Sequence, residues 1–530
     1  MAQNPRRPSS RAADVPVVAD YVIVGGGTAG CVLARRLSDD PAVSVCLLEA
    51  GPPDIDEHLT VPAAGGRFFR SEYDWDLDSH PDPRAGGVRR YLPQGRVLGG
   101  SSAINGMVYT RGAAADYDDW GLPGWSFADL LPYFLRAEAN ERGASRFHGG
   151  HGPLAVSDGR SGLPGPQAFV EAALELGLEP NDDFNAGRLD GFGAYQVMQR
   201  AGRRVSAARA YLSPVADRPN LTVLTRTAVR RVEVCGGRAT GVEVTRDGRR
   251  VTCRAAREVV VSSGAYGSPA LLMHSGIGAP AHLTSLGITV TCDSPGVGLG
   301  LQDHPQNWLS YANDVPSSMI CASTDAAREE YARSGTGPLA SNGPESGGFV
   351  RSGPHLAEPD LQYFCVPTIL TDGLLSPPDG HGLSFGASVL RPDSRGHVTI
   401  TSPEPTVKPL VVQNLLEDPG DLDAAVAGLR LGLEIAQQDA LRSHVTRPRQ
   451  VPASTSTAGL RDFARRHVQT GHHPVGTCAI GRVVDHELRV QGVEALRVVD
   501  ASVLPTLVRG NTTAPVIAVA ERAADLIAST

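Results

Sequence analysis

The sequence predicts an α/β fold, and three consecutive segments near its N-terminus carry this prediction. Residues 20–24 (DYVIV) are a short apolar run rich in β-branched side chains, and the turn GGGTAG follows at once at 25–30. Apolar residues then recur at helical spacing in CVLARRL, and residues 45–49 (VCLLE) form a second apolar run. Strand, glycine turn, helix and strand in this order predict a Rossmann-like unit.

The glycine turn has the spacing of a dinucleotide-binding motif. Gly25 permits the tight turn, Gly27 lets the backbone approach a pyrophosphate, and Gly30 lets the helix pack closely on the strand. Glu49 lies nineteen residues after Gly30 and can accept hydrogen bonds from ribose hydroxyls. Its negative charge disfavours the 2′-phosphate of NADP, whereas NAD and FAD both stay open at this point. The same motif predicts three more cofactor contacts, at Thr28, Ala29 and Ala50.

Composition excludes several classes of protein. The net charge of −8 and the absence of a basic run argue against a nucleic-acid partner. No run of eighteen apolar residues predicts a transmembrane segment. The eight cysteines form no CxxC pair, so we expect reduced thiols and no metal site. We therefore expect a cytoplasmic protein with a mobile tail at residues 1–19, and we leave peripheral docking to the inner membrane open.

Four further stretches suggest a family. They are GRVLGGSSAINGMVY at 95–109, GAYGSPALLMHSGIG at 264–278, HHPVGTC at 472–478 and VVDASVLPTLVRGNTTAP at 498–515. Together with the glycine turn, they resemble the glucose–methanol–choline (GMC) oxidoreductase family, whose members bind FAD. The stretch ESGGFVRSGP at 345–354 is similar to the choline dehydrogenase and medium-chain alcohol dehydrogenase members in particular.

The resemblance implies an interleaved two-domain architecture. Residues 20–155, 220–300 and 465–530 would form the FAD-binding domain. Residues 156–219 and 301–464 would form a substrate-binding domain of antiparallel sheet flanked by helices. The implied FAD contacts are Arg96, Val97, Gly99, Gly100, Ser101, Asn105, Gly106, Met107, Val108, Val229, Gly264, Asp500, Ala501 and Thr512. Ile104 stands where some members carry the histidine that links FAD covalently, so we expect FAD to be bound non-covalently.

The resemblance also assigns the catalytic residues. In the family, the histidine immediately before Pro-Val-Gly-Thr is catalytic, and that residue is His473 here. An imidazole suits a general base because its ordinary pKa of about 6.5 lies near working pH. Asn511 would hold the substrate oxygen, while His472 and Glu345 would belong to the substrate pocket. We interpret His304, in the stretch LQDHP, as structural.

These residues predict an FAD-dependent oxidoreductase that converts a primary or secondary alcohol to an aldehyde or ketone. Two alternatives stay open: an FAD-containing lyase of the same fold, similar to hydroxynitrile lyases, and a flavin-binding protein without activity. The electron acceptor, oxygen or a quinone or dye, is also left open, as is the oligomeric state.

Overall fold

The computed structural model of the chain, which describes residues 18–246, 248–370 and 378–529, is organised around two large sheets. The first, here called the nucleotide sheet, has a parallel centre because helical crossovers separate its apolar strands. Its parallel strands are Leu221–Leu224, Val45–Leu48, Val18–Val24, Arg249–Val261 and Leu496–Val498. The antiparallel strands Arg238–Arg246 and Ala228–Cys235 extend the sheet beyond Arg249–Val261.

The second large sheet, here called the substrate sheet, is antiparallel throughout. Its strands are, in spatial order, Arg447–Gln450, Pro305–Ala312, Gly382–Val389, Leu361–Val366, Ser346–Val350 and Gly191–Ala194, with Gln469–Thr470 also paired to Pro305–Ala312. Helices Pro164–Glu175, Pro419–Ile435 and Thr457–His467 share one buried apolar cluster with it. The predicted fold class, a Rossmann-like unit joined to an antiparallel sheet flanked by helices, is confirmed.

Three helices that share the buried apolar cluster of the nucleotide sheet bury nearly all of their apolar residues, as expected where a parallel sheet is covered by helices. These helices are Thr28–Leu37, Gly264–His274 and Thr513–Ala528. The remaining α-helices are Ala114–Asp118, Phe127–Ala137, Pro280–Ser285 and Asp325–Ser334. Among the described residues, no helix is both long and apolar enough to cross a membrane.

Short strands complete the architecture. They are Leu77–Asp78, Tyr91–Leu92, Glu138–Asn140, Leu154–Asp158, Gln196–Val197, Gln199–Arg200, Arg203–Arg204, Ile277–Gly278, Cys292–Asp293, Leu299–Leu301, Gly396–Thr399 and Leu410–Val412.

Two boundaries of the predicted domain segments differ from the observed sheets. Residues 1–17 of the predicted mobile tail lie outside the described residues. Val18 and Ala19 are strand residues that pair with Arg254 and Ala255. The predicted tail at residues 1–19 therefore includes two residues that belong to the sheet. The strand Gln469–Thr470 follows residue 465, where we placed the FAD-binding domain, yet it pairs with the substrate sheet. This short strand carries the chain directly into the HHPVGTC stretch.

Candidate active site

A cavity of about 1240 Å³ is lined by residues from both large sheets. Val24 and Leu48 contribute from the nucleotide sheet, and Trp308 and Phe364 contribute from the substrate sheet. Seventeen of the predicted cofactor residues line this cavity: Gly25, Gly27, Thr28, Ala29, Glu49, Ala50, Gly100, Ser101, Asn105, Gly106, Met107, Val108, Val229, Gly264, Asp500, Ala501 and Thr512. His472, His473 and Asn511 line it as well. The structure therefore brings the two ends of the sequence to one site.

Four predicted cofactor residues do not line the cavity. A Cβ on Gly30 would lie 1.9 Å from the carbonyl oxygen of Gly25, so Gly30 serves the close packing of helix on strand. Gly99 donates its N–H to the carbonyl of Gly26 at 2.7 Å, and Val97 is fully buried. The guanidinium of Arg96 lies 5.4 Å from the ring centre of Trp75. These four residues support the wall from behind.

The glycine turn has the shape that a dinucleotide requires. Gly25 has a φ of +104°, and a Cβ there would lie 2.4 Å from the carbonyl oxygen of Ser262. At Gly27, by contrast, a Cβ would meet nothing closer than 3.9 Å, so this backbone faces open space. Glu49 accepts hydrogen bonds from the N–H groups of Gly26 and Gly51 at 2.8 and 2.7 Å, and burial raises its pKa to about 7. These residues fit an FAD molecule whose ribose lies against Glu49.

His473 belongs to a chain of hydrogen bonds that fixes its tautomer. His304 Nε2 lies 3.2 Å from the carbonyl oxygen of Leu390, which can only accept, so Nε2 carries the hydrogen. Burial lowers the pKa of His304 to about 3, so its Nδ1 is an acceptor. His473 Nδ1 lies 2.8 Å from that atom and must donate to it. The Nε2 atom of His473 therefore carries no hydrogen and presents its lone pair as an acceptor.

Asn511 meets this lone pair from the other side. Its Nδ2 lies 3.0 Å from His473 Nε2. The orientation of the amide is fixed because Gln362 Nε2 donates to Asn511 Oδ1 at 3.2 Å and also to the hydroxyl of Tyr195 at 3.4 Å. The Tyr195 hydroxyl in turn donates to the carbonyl oxygen of Tyr363 at 2.5 Å. The whole chain thus ends at two backbone carbonyls, and its donors point outward from the Gln362 amide in both directions.

Asp303 holds the two histidine segments together. Its Oδ1 accepts the backbone N–H of His304 at 2.8 Å and that of His473 at 2.9 Å. Its Oδ2 accepts from the Thr470 hydroxyl and, at 3.1 Å, from Gln413 Nε2. Burial raises the pKa of Asp303 to about 6, against the lowering effect of these donors. The contact between the two imidazoles therefore depends on one buried carboxyl group.

Both adjacent histidines are uncharged. Burial lowers the pKa of His473 well below its usual value, and the neighbouring His304 and His472 lower it further. Burial lowers the pKa of His472 to about 4. His473 is thus unprotonated at neutral pH, as a general base must be before it accepts a proton.

Helix Thr513–Ala528 begins at the cavity, with Asn511 and Thr512 just before it. We predicted a start at Pro515, because proline favours the first turn, and the helix begins two residues earlier. Its N-terminus adds a positive dipole end to the cavity wall.

Comparison with known proteins identifies the family. The family model described as GMC oxidoreductase matches in two parts, an N-terminal part over residues 19–306 and a C-terminal part over residues 392–520. The chain belongs to the GMC oxidoreductase family. The predicted resemblance and the predicted enzyme class, a GMC-type oxidoreductase, are thereby confirmed, and this family binds FAD.

Relatives cover nearly the whole length of this GMC oxidoreductase. An uncharacterized GMC-type oxidoreductase of Mycobacterium tuberculosis is 44% identical over 96% of this chain and 99% of its own. An oxygen-dependent choline dehydrogenase of Sinorhizobium fredii is 40% identical over 96% of this chain and 95% of its own. The crystal structure of pyridoxine 4-oxidase from Mesorbium loti superposes with a TM-score of 0.87 at 33% identity, over 96% of this chain and 98% of that one.

Glu345 does not line the cavity of this GMC oxidoreductase. Its carboxyl group is hydrogen-bonded to the hydroxyls of Ser161, at 2.5 Å, and Ser341. Burial raises its pKa to about 7. The side chain therefore lies behind the wall and not in the pocket where we expected it, because two serine hydroxyls satisfy it there.

Sequence reasoning missed three residues of the site. His304 was interpreted as structural, and Asp303 and Gln362 were not singled out. The stretch LQDHP offered a signal for the first two, since a buried acid next to a histidine commonly orients it. Gln362 gave no signal, because a glutamine inside the apolar strand Leu361–Val366 resembles an ordinary buried polar residue.

Proposed function

We propose that this protein is an FAD-dependent oxidoreductase that oxidises a primary or secondary alcohol to an aldehyde or ketone. The observation that carries the proposal is the contact between His473 Nε2 and Asn511 Nδ2 on the wall of the nucleotide-binding cavity. Relatives named for choline and for pyridoxine, both of which carry hydroxyl groups, support the same reaction.

Each side chain has one task. His473 accepts the hydroxyl proton of the alcohol at Nε2, the nitrogen that the hydrogen bond to His304 leaves unprotonated. The alcohol hydroxyl takes the place of the Asn511 hydrogen at His473 Nε2, and the Asn511 amide then donates to the substrate oxygen and keeps it beside the base. When bound, FAD supplies the two-electron acceptor for the hydride of the alcohol carbon. Proton and hydride together account for the conversion of alcohol to carbonyl.

FAD would be held without a covalent bond. Ile104 lines the cavity and is 4% exposed, and an alkyl side chain has no atom that can bond to the flavin. Glu49 would hold the ribose, and the turn from Gly25 to Gly30 would approach the pyrophosphate. If the flavin pelleted with acid-precipitated protein, the non-covalent proposal would fail.

Anaerobic flavin reduction tests the reaction. The holoenzyme is mixed with a panel of alcohols, and loss of the visible absorbance band of oxidised flavin reports hydride transfer. Bleaching by at least one alcohol, lost in His473→Ala at equal flavin content, would support the proposal. A flavin that no alcohol bleaches points to a lyase or an inactive flavoprotein, which cyanohydrin cleavage then separates.

The partners follow from the reaction. We propose a cytoplasmic enzyme whose reduced flavin is re-oxidised by oxygen or by a quinone or dye. Mixing the bleached enzyme with air-saturated buffer, and separately with a quinone analogue, distinguishes the acceptors by rate.

A further inference from the structure

Three polar side chains stand together on the cavity wall beside the proposed base. Gln306 and Gln469 face each other across the antiparallel pairing of Pro305–Ala312 with Gln469–Thr470. His472 adjoins His473 and lines the same cavity. Directly opposed residues of a strand pair share one face, so both amides belong to one patch.

None of these three side chains has a hydrogen-bond partner among the described residues. The one hydrogen bond of His472 is made by its backbone N–H, which donates to the Thr470 hydroxyl at 2.8 Å. Gln306 is 5% exposed, Gln469 and His472 are half-buried, and all three line the cavity. By contrast, Gln450, another glutamine of the wall, donates its amide to the carbonyl of Trp308 at 3.2 Å. Buried polar groups are normally satisfied, so unpartnered ones that face a cavity indicate a ligand.

The backbone of His472 supports the same interpretation. Its φ of +63° is in the left-handed region, which few residues other than glycine adopt. The hydrogen bond to Thr470 and the Asp303 bond to the next N–H hold the chain in this conformation. Conformational strain of this kind concentrates at functional sites. Here its effect is to keep the imidazole on the cavity wall.

The donors and acceptors of the patch limit the kind of group that it can bind. A neutral imidazole offers one donor and one acceptor, and each amide offers both, so the patch suits an uncharged oxygen function. The cavity lining also includes several apolar residues, which are Met319, Ile320, Leu339, Phe364 and Val366. They suit an apolar body.

A cationic substrate finds no carboxylate partner in the described part of the wall. The two acidic residues that line the cavity are Glu49 and Asp500, and both are occupied on the nucleotide side. Glu49 accepts from Gly26 and Gly51, and Asp500 accepts from Gly264 at 2.9 Å. The choline named in a 40% identical relative therefore does not match the described wall of this cavity.

We propose that His472, with Gln306 and Gln469 beside it, binds a second oxygen of the substrate. The alcohol oxidised by this enzyme is then an uncharged compound with an apolar body and at least two oxygen functions. This inference rests on the proposed function, because it takes the cavity beside His473 as the substrate pocket.

Matched substrate pairs test the inference on the holoenzyme. Benzyl alcohol is compared with 1,3-benzenedimethanol, and 1-hexanol with 1,6-hexanediol, with choline as a cationic arm. The readout is the anaerobic flavin-reduction rate divided by the apparent dissociation constant. We expect the wild type to prefer the two-oxygen member about tenfold, the worth of one good buried hydrogen bond. His472→Phe is expected to reduce that preference to about twofold.

Variants of the two glutamines complete the test. Gln306→Leu is expected to lower the preference several-fold, whereas Gln450→Leu, whose amide already bonds to Trp308, serves as the control and should retain it. Equal losses on both members of a pair in His472→Phe would overturn the inference. The inference would also be overturned if choline or the one-oxygen alcohols reduced the flavin of the wild type as fast as the two-oxygen alcohols do.

A binding titration separates this inference from the proposed function. Each alcohol is titrated into the oxidised holoenzyme, and the perturbation of the flavin spectrum gives its dissociation constant. If no alcohol reduces the flavin but the two-oxygen compounds bind about tenfold tighter and His472→Phe abolishes that difference, oxidation is wrong and the binding patch stands. If binding shows no preference, the patch is wrong even where oxidation is found.

Discussion

Replacing His304 by phenylalanine should slow flavin reduction without weakening substrate binding. Phenylalanine keeps the ring, which meets the His473 ring edge-on at 81° with centres 5.0 Å apart, but it removes the acceptor for His473 Nδ1–H. In the wild type, His473 becomes positively charged once its Nε2 takes the alcohol proton. The hydrogen bond from its Nδ1 to His304 then has a charged donor, and the variant lacks this bond. Such a bond contributes about 1.5–3 kcal/mol. The rate should therefore fall by about tenfold to 150-fold, since about 1.4 kcal/mol corresponds to a factor of ten.

Stopped-flow reduction under anaerobic conditions measures this effect, with flavin content and substrate dissociation constant determined for each variant. His304→Gln restores an acceptor on a flexible side chain and should recover part of the rate. His397→Phe is the control, because that half-buried histidine is on the strand Gly396–Thr399 and does not line the cavity. A His304→Phe enzyme that reduces its flavin within about twofold of wild type would refute the tautomer argument.

Three further predictions address other parts of the site. Gln362→Met frees the Asn511 amide to rotate, so the reduction rate should fall about tenfold with unchanged FAD content, measured as above; an unchanged rate would show that Gln362 does not orient Asn511. Glu345→Gln should stabilise the protein at pH 8 but not at pH 5, in thermal melts. Its folded pKa of about 7 exceeds the ordinary 4.5, so its stabilising contribution is complete below pH 4.5 and is lost as the pH rises through 7. Ionised Glu345 costs up to about 3 kcal/mol at pH 8, and equal melting shifts at both pH values would contradict this account. Glu49→Ala should raise the dissociation constant for FAD at least about tenfold in titrations of apoprotein, and unaltered binding would place the ribose elsewhere.

The nucleotide-binding residues could be predicted from the sequence because they lie in short motifs. Gly25, Gly27 and Glu49 lie within one strand–turn–helix–strand unit, so their spacing alone predicts the cradle. Strand and helix ends were less predictable. Val18 joins the sheet because Arg254 is there to pair with it, and only the folded chain brings that partner near.

The same limit explains what was missed around the base. His473 and Asn511 were identified through the local motifs that contain them. Their partners are far away in the chain: His304 is 169 residues from His473, and Gln362 is 149 residues from Asn511. Glu345 shows the converse, because a motif fixed its position in the chain while the serines that satisfy it decided where its side chain points.

The chain of hydrogen bonds through His473 is built mainly on the substrate sheet, and Asn511 is its one member from the segment before helix Thr513–Ala528. His304 adjoins the strand Pro305–Ala312 and Gln362 is on Leu361–Val366, whereas the residues that we propose hold FAD lie mainly around the nucleotide sheet. On the proposed mechanism, a molecule whose substrate sheet is displaced would keep its flavin colour and yet lack a correctly placed base. Colour and active-site concentration are thus separate quantities for this enzyme. Specific activities of variants need to be normalised to the fraction of flavin that substrate can bleach.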